Sequence, residues 1–350
     1  MDPAAEPFDA SRRRLAKRGF TTRHARDADM DTLIVADRAP RSGDLVLARI
    51  DAVGQHAWLE SPGGRHQTLF VGDEVLLAYG NRYAPDYFEA IVPERPSPCH
   101  LAAAGGVAGR VIGAKRGLKE PTKITPIAFV GDREGRVLNL ARWILSPPRT
   151  TRRLPTVAVV GTSMNAGKTT SAAWLTRGLT RSGLRVGAAK VTGTGAGKDL
   201  WLMSDAGADT VLDFTDAGHP STYGLTAEAV ERILIHLTDL LGQAERDAIV
   251  LEIADGIYEP ETAALLAGSI FHERVDAVLF AAGDAAGAAA GVAAIQATGM
   301  TVSGVSGVLT SSPLAVREAR MAVGLPVFDL ETLGDAAIAG ILRVGRPVAA

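Results

Sequence analysis

Residues 161–170 read Gly-Thr-Ser-Met-Asn-Ala-Gly-Lys-Thr-Thr. A short glycine-bearing turn ending in Lys-Thr has the chemistry to wrap a phosphate. Successive backbone N–H groups surround the anion, and the start of a helix adds its positive end. On this reading Gly161, Thr162, Asn165, Ala166, Gly167, Lys168, Thr169 and Thr170 form the cradle. Gly167 lets the backbone approach closely, Lys168 sets a point charge between β- and γ-phosphates, and Thr169 offers its hydroxyl to Mg2+. The commonest spacing is G-x-x-x-x-G-K-[ST]. Here Thr162 stands where the first glycine belongs, and Gly161 comes one residue earlier.

Such a loop needs a buried strand before it and a helix after it. Residues 156–160, Thr-Val-Ala-Val-Val, supply the first, and 169–182, ending at Gly183, the second. The pattern continues. Apolar runs at 185–191, 211–214, 248–253, 277–281, 302–309 and 326–329 alternate with helical stretches, the clearest at 226–243; others start near Lys168, Glu261, Ala285, Pro313 and Glu331. Continuous apolar strands alternating with helices predict a mostly parallel sheet covered on both faces.

The chain before this is different. Short apolar runs at 32–36, 45–50, 57–59, 68–71, 74–79, 87–92 and 124–130 lie between turn signals such as Ser61-Pro-Gly-Gly. That spacing predicts a small β barrel or sandwich. The fold class expected is thus α/β: a P-loop domain at 156–350, preceded by a smaller β-rich domain at 31–145 and a Pro-Pro linker at 146–155. Residues 1–30 carry many arginines and are expected to be a flexible basic terminus, with a phosphate-binding arm as the alternative.

Composition narrows the function classes. Apolar residues make up 47% of the 350-residue chain and the formal net charge is −2. Nothing in that balance draws the whole molecule to nucleic acid or membrane. The single cysteine, Cys99, excludes an internal disulfide and a thiolate zinc site. The N-terminal residues lack an apolar signal segment, and the weakly polar stretch 277–300 is Ala- and Gly-rich and contains Asp284. A cytoplasmic protein with no membrane span is expected.

The G-T-x-x-x-x-G-K-T loop resembles that of dethiobiotin synthetase, and Asn165-Ala-Gly-Lys-Thr-Thr that of the molybdopterin-guanine-dinucleotide accessory NTPase. Both belong to the SIMIBI class of P-loop proteins. The resemblance covers about residues 156–330. It implies that Lys190, before a Gly-bearing turn, meets an anionic group. It also implies that Asp205, in Ser204-Asp205-Ala206, and Glu252, at the end of a strand, join Thr169 in binding Mg2+. Several features depart from the family. Asp255 adds a carboxylate to the turn after Glu252. Thr310-Ser-Ser-Pro replaces the Asn-Asp near the base. Ser163 stands where the switching partition ATPases of this class carry a lysine, and nothing in the family matches residues 1–150.

Other residues carry less. The Gly-rich run after Lys190 has a second lysine, Lys198, and His219 lies in a turn-like loop. The aromatic and basic cluster at 79–88 reads as a barrel edge. Arg110, Lys115, Arg116, Lys119 and Lys123 form a basic stretch suited to an anionic acceptor or to a solvated face. The leading expectation is an enzyme that uses ATP, with GTP as the alternative, and Mg2+ to phosphorylate or activate a small anionic or carboxylated substrate. Lys168, Lys190 and Asp255 would be its catalytic residues, with Asp255 as general base. An accessory NTPase serving a protein partner is the second reading, and a nucleic-acid kinase the third. A homodimer is left open.

Overall fold

The computed structural model describes residues 4–147, 151–242 and 246–344. The chain divides into two units: residues 1–145 with 193–198 and 214–224, and residues 146–192 with 199–213 and 225–350.

The first unit contains β1 (Ala4–Pro7), α1 (Ala10–Leu15), β2 (Lys17–Arg18), β3 (Thr32–Val35), β4 (Leu45–Ala52), β5 (Trp58–Glu60), β6 (His66–Thr68), β7 (Glu74–Tyr79), β8 (Phe88–Ile91), β9 (Cys99–Ala103), β10 (Val107–Ala114) and β11 (Thr122–Gly131). Strand β11 pairs with β4, β4 with β7, β7 with β10, β10 with β9, and β9 again with β11. The ring closes, so the β-rich domain is a barrel and not a sandwich. Its strands alternate between two apolar layers. Val46, Ala48, Val75, Leu77 and Tyr79 belong to one core with Phe129, Leu101 and Ile124. The residues between them, Leu45, Leu47, Leu76 and Ala78, belong to a second core with Phe8, Ala16, Ala25, Met30 and Trp143. A strand buried on both faces reads as an unbroken apolar run, as 45–48 and 75–79 do.

The second core corrects the expectation for residues 1–30. From Ala4 onward the segment is folded, and Phe8, Ala16, Phe20, Ala25 and Met30 are buried. Several of its basic side chains are paired with carboxylates. Arg12 makes two bonds to Glu74, at 2.8 and 2.6 Å; Lys17 meets Asp73; and Arg23 and His24 both bond Asp216, at 2.9 and 2.7 Å. These cations neutralise carboxylates of their own unit, so the segment is a folded part of it and not a loose arm.

The second unit is built on β12 (Thr156–Gly161), β13 (Val186–Lys190), β14 (Thr210–Asp213), β15 (Ala248–Glu252), β16 (Ala277–Ala281) and β17 (Val302–Ser306). The order is β14-β13-β15-β12-β16-β17, and every pairing is parallel. Between and after the strands run α2 (Lys168–Arg181), α3 (Gly197–Asp205), α4 (Ala227–Leu241), α5 (Pro260–Ala267), α6 (Ser269–Arg274), α7 (Ala285–Ala297), α8 (Pro313–Val323), α9 (Leu330–Leu333) and α10 (Ile338–Ile341). Leu175 and Leu179 of α2, with Leu333 and Ile338, pack on Val157, Val159, Val186 and Val250. Helix α4 buries Val230, Ile233, Leu237 and Leu241.

Two details differ from the sequence expectation. Residues 326–329 form no strand; Val327 makes one isolated bridge to Val305. The 226–243 helix ends at Leu241, and Gln243 lies outside the described residues. Part of the 146–155 linker, 148–150, also lies outside them. Arg152 and Arg153 run with the second unit, bonding the Gly242 and Glu273 carbonyls at 2.8 and 2.9 Å.

Candidate functional site

Strand β12 is buried along its length and delivers Gly161 to the carboxyl edge of the sheet. The next six residues turn on two left-handed positions, Asn165 at φ 64° and Gly167 at φ 96°. Asparagine tolerates that region, and glycine occupies it without strain. At Gly167 a side chain is also excluded by space, since a Cβ would lie 3.0 Å from the Gly307 Cα. Residues of this handedness turn successive N–H groups inward and make an anion-binding concavity.

Helix α2 begins at Lys168, and its N-cap, Gly167, offers no side-chain acceptor. By contrast, α4, α5, α7, α8 and α9 are each capped by a side chain. The short helices α6 and α10 also lack a side-chain cap, but α2 is the long one of the three, and its first turn leaves donors that an outside acceptor could take. Two cradle residues are partial exceptions: the Thr162 N–H is taken by the Ala281 carbonyl at 3.0 Å and the Ala166 N–H by the Ser163 carbonyl at 3.3 Å.

Five charged or hydroxyl side chains converge beside the loop. Lys168 is buried, and its Nζ donates to the Ser163 carbonyl at 2.7 Å. Burial pulls its pKa down, opposed by Glu252 and Asp255. Thr169 Oγ1 donates to Glu252 Oε1 at 2.8 Å. Glu252 is only 1% exposed, and its Oε2 has no hydrogen-bond partner. Burial raises its pKa, against the pull of Lys190. Lys190 lies 3.7 Å from Glu252 Oε1 and makes an ion pair with Asp199. Burial disfavours its charge, but Asp199 and then Glu252 outweigh that and the ammonium is held protonated. Asp255 follows β15 in a left-handed conformation, φ 60°, with its pKa raised by burial despite Lys190 and Lys168.

The oxygen donors suit Mg2+. That ion prefers oxygen and uses one or two carboxylates beside phosphate and water. Thr169 Oγ1 and the unpartnered Glu252 Oε2 are such donors, and leaving a buried carboxylate oxygen without a partner is costly. Among the described residues there is no cluster of three or more His, Cys, Asp or Glu side chains able to enclose a metal alone. A cation here would be completed by a phosphate ligand.

Asp205 does not belong to this set. It is the exposed last residue of α3. Two residues on, the Gly207 carbonyl accepts from Thr180, near the carboxyl end of α2, and Asp209 N–H bonds the Val186 carbonyl at the start of β13. Helix α2 has 14 residues, so its ends stand about 20 Å apart, with Lys168 at the other one. The Ser-Asp-Ala motif therefore lies at the wrong edge of the sheet. Asp205→Asn is expected to leave Mg2+-dependent nucleotide binding within about twofold of wild type, the usual reach of a surface substitution. A Mg2+ titration by calorimetry checks it; a tenfold loss would return Asp205 to the site.

Sequence reasoning missed Asp199, which stands in the first turn of α3 and holds Lys190. The signal was present as a carboxylate nine residues after a strand-end lysine, but the Gly-rich run between them reads as an open loop. Those glycines have a packing role in the first unit. A Cβ on Gly195 would lie 2.7 Å from Thr21 Cγ2. Lys198 is exposed, as are Arg110, Lys115, Arg116, Lys119 and Lys123; Lys115 pairs with Asp86 at 2.7 Å. Among the described residues no helix is long and apolar enough to cross a membrane.

No protein-family model matches the chain, and no curated protein does. Solved structures match parts of it. The 54 kDa signal recognition particle protein of Aeropyrum pernix, in complex with GDP, is 23% identical over 56% of this chain and 47% of its own, with a TM-score of 0.36. A nucleotide-binding protein of Archaeoglobus fulgidus, in complex with ADP, is 14% identical over 51% and 85%, at 0.35. A DUF1611 family protein of Anabaena variabilis is 12% identical over 57% and 63%, at 0.39. The chain thus spans about half the length of the first of these, 47%. The second unit, by its own geometry, has a P-loop fold: a parallel sheet, a phosphate-type loop and an uncapped helix. The narrower likeness to dethiobiotin synthetase rests on sequence motifs alone, and one of them, at Asp205, is misplaced.

Proposed function

We propose that the second unit is a SIMIBI-type P-loop nucleotide site that binds a nucleoside triphosphate with Mg2+. The chain would use it to phosphorylate or activate a small anionic or carboxylated substrate. The observation that carries this reading is the convergence of Lys168, Thr169, Lys190, Glu252 and Asp255 on the uncapped start of α2, with Glu252 Oε2 unpartnered.

Each residue has a role in that chemistry. Lys168 exchanges the Ser163 carbonyl for phosphate oxygens, and Lys190 supplies a second cation. Thr169 and Glu252 are the residues that would hold Mg2+, which when bound neutralises charge on the phosphates. Where the attacking group carries a proton, Asp255 would accept it as the acceptor's oxygen or nitrogen bonds to the γ-phosphorus and the bond to the diphosphate breaks; a carboxylate acceptor would attack without that transfer. Most of the rate gain would come from positioning and from fixed charge. ATP is the nucleotide proposed, with GTP as the alternative; Thr310-Ser-Ser-Pro, in place of the family's Asn-Asp, favours neither base.

The test is a thermal-shift screen of ATP, GTP and ADP with Mg2+, each with and without a metabolite library. A ligand at 100 times its Kd stabilises the state that binds it by about 2.7 kcal/mol. Nucleotide should raise the melting temperature, and one class of anionic metabolite should raise it further. No shift with any nucleotide would end the proposal. A shift with nucleotide, with turnover responding only to a protein partner, would move the chain to the accessory NTPases.

A further inference from the structure

Lys190 ends β13, Glu252 ends β15, and the two are partners in register. Lys190 Nζ touches the Asp199 carboxylate and stands 3.7 Å from Glu252 Oε1, the oxygen that also accepts from Thr169 at 2.8 Å. One Glu252 oxygen thus accepts from Thr169 and faces the ammonium, while the buried Oε2 has no partner. A lysine is a mobile point charge on a four-carbon stem. Left with Glu252 alone, it would be drawn onto that carboxylate, the other one it pairs with, and would compete with a cation for its oxygens. Asp199, in the first turn of α3 where a helix favours a carboxylate, draws the ammonium to one side.

We propose that Asp199 is a positioning residue: by anchoring Lys190 it keeps Glu252 Oε2 open to the cation that accompanies the nucleotide. The inference rests on the Mg2+–nucleotide reading of the site and adds to it the residue that keeps the metal position accessible. Removing an outer partner of this kind lowers metal affinity on the order of tenfold or more.

The experiment uses the full chain and a non-hydrolysable ATP analogue. Its Kd is measured by calorimetry in EDTA and in Mg2+, and the ratio of the two is the readout. Asp199→Asn should lower the ratio about tenfold, and Asp199→Glu should restore most of it. On a Lys190→Met background, Asp199→Asn should change the ratio by less than about twofold, because the two side chains act through one contact. An equal loss on both backgrounds would mean that Asp199 reaches the metal itself, and the proposal fails. A wild-type ratio in Asp199→Asn also overturns it, whether binding is otherwise normal or weakened in both buffers by a structural defect. Should Asp199→Asn fold poorly, the Asp199→Glu and Lys190→Met ratios decide the matter. Failure of the nucleotide reading is distinct, since wild type would then bind the analogue in neither buffer.

Discussion

Replacing Lys168 with alanine is expected to remove most nucleotide binding and to leave the fold in place. Lys168 opens α2 with its ammonium curled onto the Ser163 carbonyl, inside the arc of the loop. In that position the charge closes the cradle without nucleotide and transfers to phosphate when nucleotide enters. Charge-assisted hydrogen bonds contribute about 1.5–3 kcal/mol each. Loss of an ammonium facing two phosphates should weaken binding on the order of 100-fold or more. The stability effect should be smaller. The side chain packs its stem beside Gly161, and its ammonium is disfavoured by burial, so alanine removes an unfavourable charge along with one hydrogen bond. Calorimetry with ADP and ATP, beside a melting curve, checks both halves. Wild-type-like affinity in a folded Lys168→Ala chain would falsify the phosphate-loop assignment.

The strand, turn and helix at 156–181 were legible because their signal is local. A buried strand, a glycine turn and Lys-Thr lie within 20 residues or so, and each constrains its neighbours. The strands of the parallel sheet were legible for the same reason, as was Glu252, since a carboxylate after four apolar strand residues needs a partner. What the sequence hid was decided by distant contacts. Arg12, Lys17 and Arg23 read as part of a flexible basic terminus because their partners, Glu74, Asp73 and Asp216, lie far along the chain. Strands β9 and β10, which complete the barrel, contain Ala-Ala and Gly-Arg-Val-Ile-Gly-Ala, where β propensity is weak and pairing supplies the order. Asp199 was missed and Asp205 chosen for one shared reason. Helix α3 was not recognised, so a motif stood in for geometry. Asp199 stands in the first turn of this helix and Asp205 at its last residue, six residues and about 9 Å further along its axis.

Glu252→Gln is expected to reduce Mg2+-dependent turnover on the order of 100-fold or more, the cost of losing charge neutralisation at a transferring phosphoryl group. The substitution preserves shape. Glutamine can still accept from Thr169 through its amide oxygen, and Lys190 retains Asp199. What disappears is a negative charge that is 1% exposed and has an oxygen with no partner. That oxygen is the strongest single sign of a cation, because a buried carboxylate otherwise protonates or finds a donor. Binding without metal should move the other way, or hardly at all. In EDTA the carboxylate only repels polyphosphate, so the neutral amide should bind nucleotide at least as tightly as wild type. A general structural defect would weaken binding in both buffers, and opposite effects in EDTA and Mg2+ separate the two causes. The measurement is a Mg2+ titration of turnover together with nucleotide Kd in EDTA, for wild type and Glu252→Gln, with Asp205→Asn as the surface control. If Glu252→Gln titrates like wild type and keeps its rate, the cation binds elsewhere and Oε2 must be satisfied by water.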